Sequence, residues 1–221
     1  MTFRVGRIAV LAIVSGALHA QPISFGVKAG VPFTDAVEGS FGLHSEEPRY
    51  TIGPTVELRL PLSFALEVSA LYRRTGYSTT DTVFGVTNLA RVRANSWEFP
   101  LLFKYYLPGL ELPVRPFIEG GYVARRLFSV DGVSHSFGRD TIGGTLVDST
   151  ITLNPSFLVH DNPTHGVSVG AGLRLGTSHL HLTPEVRYTR WTGRSFDEQR
   201  SRGFFVQSIQ NQAEFLLTLG F

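Results

Sequence analysis

Arg74, Arg93, Arg126 and Arg190 are the residues whose type and placement suggest the most definite chemistry. Each stands two or four positions beyond an aromatic residue of the same parity, namely Tyr72, Trp97, Tyr122 and Tyr188. A guanidinium is a planar fork of donors that holds a phosphate through two parallel hydrogen bonds, so such side chains at one level suit a layer of phosphates. The competing uses are snorkelling and salt bridges within loops. A second candidate is Ser134-His135-Ser136 with Asp131 and Asp140 nearby, a nucleophile, a base and an orienting acid. Such groups work only if they meet in space, and a polar loop supplies them by chance. His179 and His181, at i and i+2, could join a metal site, but no third ligand lies near them. Structural zinc takes four ligands, so satisfied histidines beside Glu185 are expected, with no metal, no cofactor and no catalytic set.

Period-two alternation marks the elements that must position these residues. Eight segments carry it: Ile23–Phe33, Tyr50–Leu60, Phe64–Tyr77, Arg93–Tyr106, Arg115–Leu127, Thr164–Gly176, His179–Trp191 and Ile209–Phe221. The connections between them are 16, 3, 15, 8, 36, 2 and 17 residues, so long and short alternate without exception. The longest, from Phe128 to Pro163, has Val130-Asp131-Gly132-Val133 as a candidate hairpin turn and more apolar residues than a solvated loop needs. A connection of that length is usually functional or disordered; it would extend the barrel wall outward as a hairpin, fold inward as a lid or bind a partner, and two further strands drawn from it, making ten, are the minor alternative.

Each segment has one apolar face. Phe64, Leu66, Val68, Ala70 and Tyr72 oppose Glu67 and Arg73, and Trp97, Phe99, Leu101, Phe103 and Tyr105 oppose Glu98 and Lys104. The opposite faces together carry Glu57, Glu67, Glu98, Glu119, Glu185 and Glu214 against Lys28, Arg59, Arg73, Lys104, Arg125, Arg174 and Arg187. An eight-stranded barrel is just wide enough for side chains to fill it, so these charges should interlock as a plug. Gly26, Gly30, Gly166, Gly170, Gly172 and Gly176 share that face and leave room for bulk. Pro54, Pro116 and Pro184 predict bulges or strand ends.

Arg4 and Arg7 precede an apolar run from Ile8 to Leu18, and Ala20 offers a cleavage point, so residues 1–20 are expected to be a secretory signal peptide. The remaining 21–221 form one domain with 18 basic and 18 acidic residues and no basic run, which excludes nucleic-acid binding as a main role. Cysteine is absent, which excludes a disulfide-stapled module, and no stretch is long and apolar enough for a transmembrane helix.

The last segment places Ala213, Phe215, Leu217, Leu219 and Phe221 on one face, against Gln212, Glu214, Thr218 and Gly220 on the other, with Leu216 as the apolar exception there. With the loop alternation and the leader, this resembles the small eight-stranded OmpA/OmpX type of bacterial outer-membrane β-barrel. The resemblance implies an all-β, antiparallel, up-and-down transmembrane barrel in the outer membrane, short turns inside and long loops outside. It also implies a monomer assembled by the barrel-assembly machinery, with Phe215, Leu217, Leu219 and Phe221 as the assembly signal and lipopolysaccharide phosphates as partners of the four arginines. Tyr72, Trp97, Tyr122 and Tyr188 would form the outer aromatic girdle, and Phe64, Tyr105 and Phe221 the inner one. A structural or surface-interaction role through the loops is expected. The alternatives are a narrow pore or transporter, and a lipid-A-modifying enzyme working through His135.

Overall fold

The computed structural model describes residues 23–39, 43–45, 48–108, 114–153, 159–177, 179–200 and 204–221, so the expected leader lies outside the described residues. The strands in chain order are β1 (Ile23–Pro32), β2 (Val37–Gly39), β3 (Leu43–Ser45), β4 (Tyr50–Arg59), β5 (Phe64–Ser69), β6 (Leu71–Val83) and β7 (Val86–Tyr106). They continue as β8 (Val114–Arg139), β9 (Leu146–Leu153), β10 (Thr164–Gly176), β11 (His181–Trp191), β12 (Asp197–Arg200), β13 (Phe204–Ser208) and β14 (Asn211–Gly220). No helix occurs among the described residues.

The sheet closes on itself. β1 pairs with β4 on one side and with β14 on the other, and the ring runs on through β5 with β6, then β7, β8, β10 and β11. All of these pairings are antiparallel, and counting β5 and β6 as one span gives eight. Phe25 and Phe221 exchange backbone hydrogen bonds of 2.9 and 2.8 Å at the closing seam. Closure leaves the ring no unpaired edge, which is what allows backbone amides to sit in hydrocarbon.

Pro54 and Pro184 act differently from the expectation, and Pro116 meets it. Pro54 causes no register shift: Thr55↔Ser69 and Ile52↔Tyr72 keep one alignment across it. Pro54 has no N–H to donate, so the span opposite is interrupted for one residue, Ala70, whose own N–H still reaches the Pro54 carbonyl at 3.0 Å. Pro184 likewise sits in register opposite Leu217, while Pro116 falls near the start of β8. The register shift in β7–β8 lies elsewhere, at Asn95/Ser96, where β8 carries Phe128 as an extra residue.

Alternation is as expected within the ring. Phe25, Val27, Phe99, Leu101, Phe103, Val169 and Val186 are exposed on the outside, and Lys28, Glu67, Glu98, Lys104, Glu185 and Arg187 are buried inside. A Cβ on Gly172 would meet Phe117 at 2.6 Å, and one on Gly170 would meet Glu119 at 2.8 Å, so these glycines make room for lumen side chains.

The connections expected as loops at 78–92 and 128–163 are largely strand. β6 and β7 run on to a two-residue turn, Phe84-Gly85, and β8 continues to Arg139 before β9 returns. The hairpin turn is therefore at residues 140–145, not at Val130–Val133: Asp140 and Thr145 bond across it at 2.9 Å. These strands rise as a wall on the side of the long connections, the extracellular side of an outer-membrane barrel. Phe157 and Leu158 lie outside the described residues.

Candidate functional site

The lumen charges assemble into three tiers. In the central tier Lys28 Nζ donates to Glu67 at 2.5 Å and to Glu185 at 2.8 Å, and Lys104 Nζ lies 2.6 Å from Glu67. Arg187 joins Glu119 at 3.1 Å and Glu185 at 2.6 Å. Three cations thus face three carboxylates. Glu67, Glu119 and Glu185 bring oxygens close enough together for a metal ion, but these ammonium and guanidinium groups already occupy that role.

The outer tier sets Arg73 against Glu98 at 2.7 Å and against Glu214, while Arg125 reaches Glu98 at 2.7 Å and Gln212. Arg125 also lies 3.8 Å over the Trp191 ring. The inner tier is Glu57, which accepts from Arg174 at 2.9 Å and from the Tyr106 hydroxyl at 2.9 Å, with Arg59 at 3.9 Å. His181 belongs here through its Nδ1, 2.9 Å from Arg174, rather than beside Glu185. His179 is exposed in the turn before β11, so the two histidines do not share a face.

Above the outer tier an apolar cap closes the extracellular mouth. Val37, Tyr77, Val92, Ala94, Leu127 and Phe196 form a buried cluster, with Val130 and Val159 against it. Phe196 is held by two hydrogen bonds with Ser208, at 2.8 and 2.9 Å, and by a bridge to Val159. A cavity of about 30 Å³ separates cap and tier, and another of about 10 Å³ lies toward the periplasmic end. Each is on the scale of one or two water molecules.

Outside the barrel lie the aromatic rings and the four arginines. Tyr72 and Trp97 pack edge to face at 5.8 Å, and Phe64 and Tyr105 lie tilted at 5.0 Å at the other end. Arg93, Arg126 and Arg190 are exposed and Arg74 is half-exposed. The four are not equivalent. Arg190 donates to Asn211 at 2.6 Å, Arg93 stands on the wall across from Asp131, and Arg126 lies directly across from Trp97.

The residues of the hydrolytic candidate are not brought together. Ser134 and Ser136 alternate with His135 and so project to the opposite face, where Ser136 bonds Asn88 at 2.7 Å. Asp131 accepts from Ser129, and Asp140 caps its own turn at the Ile142 N–H. The acid that does meet His135 is Asp148, at 3.0 Å across the β8–β9 hairpin, a partner that becomes visible only once the turn is set at 140–145.

The fold and the polar, filled lumen define an outer-membrane β-barrel. The family whose match runs over residues 19–191 is the outer membrane protein β-barrel domain, and the chain belongs to it. It is a protein of the bacterial outer membrane. Among solved structures it is similar to the N-terminal β-barrel domain of Pseudomonas aeruginosa OprF, with 12% identity, 92% of this chain and 100% of that chain covered, and a TM-score of 0.37. It is also similar to Neisserial surface protein A, at 13% identity, 90% and 95% coverage and a TM-score of 0.40. A third is the outer membrane protease OmpT from Escherichia coli, at 11% identity, 92% and 97% coverage and a TM-score of 0.42. No curated protein sequence matches it.

Proposed function

We propose that the protein is a non-conducting outer-membrane anchor that presents an extracellular wall of extended strands for surface interaction. The observation that carries this reading is the filled lumen, in which three tiers of ion pairs and an apolar cap succeed one another along the barrel. A pore would need a continuous water path, and the cavities at the two ends are too small to supply one. An enzyme of the serine, histidine and acid type is disfavoured because the serines flanking His135 point away from it. The closed ring, with no free edge to pair, favours a monomer inserted by the barrel-assembly machinery, with Phe215, Leu217, Leu219 and Phe221 on the strand that completes it.

In the same reading Arg74, Arg93, Arg126 and Arg190 face phosphates of lipopolysaccharide in the outer leaflet, above the girdle rings. The test of the main proposal replaces residues 130–152 by a short turn. Equal outer-membrane insertion with loss of cell-surface attachment is expected. Attachment unchanged by the deletion would remove the wall from the function.

A further inference from the structure

The extra residue in β8 produces a feature that no regular strand pair would have. Between the rows Asn95↔Ser129 and Ser96↔Leu127 the ladder skips Phe128, so Arg126 and Phe128 both project outward on either side of the shift. Bulges of this kind re-aim side chains. The opened backbone is pinned by Asn162, whose Oδ1 accepts from the Leu127 N–H at 3.0 Å and whose Nδ2 donates to the Leu127 carbonyl at 2.9 Å. Phe128 leans on Tyr72 at 6.1 Å, and Tyr72 on Trp97 at 5.8 Å.

The result is a cleft of about 590 Å³ on the outer surface, lined by Trp97, Phe99, Arg126, Leu127, Phe128 and Asn162. That volume is in the range of small-molecule sites. Its aromatic walls face the lipid, and no carboxylate lines it. The Arg126 guanidinium makes no hydrogen bond or ion pair among the described residues, unlike Arg190 with Asn211. A cation that no described residue neutralises, set among aromatic rings at the headgroup level, suits an anionic group attached to an apolar body.

We propose that the cleft is a specific site for one phosphate-bearing lipid of the outer leaflet. Arg126 binds the phosphate, and Trp97, Phe99 and Phe128 hold the adjoining stretch of acyl chain. The proposal rests on the reading of the outward arginines as phosphate ligands and narrows it to a single built site.

Trp97 reports on occupancy directly, because Trp191 is buried in the lumen. The intact protein in a neutral maltoside detergent is titrated with brominated-tail phosphatidic acid, with brominated-tail diacylglycerol as the phosphate-free control. Tryptophan quenching by phosphatidic acid should saturate at low mole fraction and exceed that by diacylglycerol. In Arg126→Gln the apparent affinity should fall about tenfold, the weight of one charge-assisted hydrogen bond. Phe128→Ala should weaken it too, while heat-modifiable mobility shows both variants folded. Saturation unchanged in both variants would overturn the site. Displacement of the probe by millimolar inorganic phosphate alone would also overturn it, since the chain would then contribute nothing. A triple variant, Arg74→Gln with Arg93→Gln and Arg190→Gln, separates the two readings. If phosphatidic acid raises the thermal stability of the wild type but not of the triple variant, the wider arginine reading stands whatever the cleft does.

Discussion

The buried ion pairs make individual lumen residues costly to change. Arg73 faces both Glu98 and Glu214, so Arg73→Met strands the buried Glu214 and leaves Glu98 with Arg125 alone. Removing one partner of a buried charge pair typically costs about 3–5 kcal/mol, and that loss should appear in the urea unfolding midpoint in bilayers. Arg59, at 3.9 Å from Glu57 on the more exposed inner rim, should cost about 1 kcal/mol or less in the same assay. The neighbouring position on the other face gives the complementary result. Val186 is 52% exposed on the lipid side, and Val186→Arg should destabilise the barrel in bilayers by about 2–4 kcal/mol near the midplane. The same substitution in detergent micelles should cost less, because the head group reaches water.

The lumen residues were legible from parity alone because lipid on one side and a narrow interior on the other enforce strict alternation. Each of the thirteen charges assigned to the lumen face takes part in the tiers. Their partners were not legible, since Lys28 with Glu185 and Arg174 with Glu57 are set by curvature across the barrel and not by sequence distance.

Among elements, β14 completes the ring, and Phe221, the residue that follows it, bonds Phe25 on both its N–H and its carbonyl. Deleting Phe221 removes both bonds and an outward aromatic. It should lower the amount of protein in the outer membrane while leaving export intact, as read by fractionation. Unchanged levels would show that β14 assembles without Phe221. The cap depends on Phe196, buried against Tyr77 with ring centres 6.3 Å apart. Phe196→Ala should open the Phe196 and Ser208 amides to hydrogen exchange while the barrel amides stay protected.

The cap was not legible in the sequence, and the wall was legible only as one option for the 128–163 connection, for related reasons. Ser78-Thr79-Thr80-Asp81-Thr82 is a strand with water on both faces, so nothing in its composition alternates. Asp131-Gly132 has the residues of a tight turn, yet β7 on one side and β9 on the other keep that stretch extended. Val37 and Phe196 are isolated apolar residues in polar connections, and only the closed barrel brings them together.

At the scale of the molecule, the lumen is filled by charged side chains, with a cluster of apolar side chains above them, and the proposed function takes these as two seals. The two seals differ in strength. The cap packs Val37 and Phe196, from short segments, against β6, β7 and β8, whereas the tiers join β1, β4, β5, β6, β7, β8, β10, β11 and β14 and cannot separate without unfolding the ring. Opening the cap alone should therefore not create a channel.

Single-channel recording in planar bilayers tests this most directly, using the wild type beside Phe196→Ala. Both should insert, as judged by heat-modifiable mobility of the recovered protein, and neither should give discrete conductance steps. Steps that recur with the wild type at a fixed amplitude would contradict the account, because they would require a continuous water path through the Lys28, Lys104 and Arg187 tier.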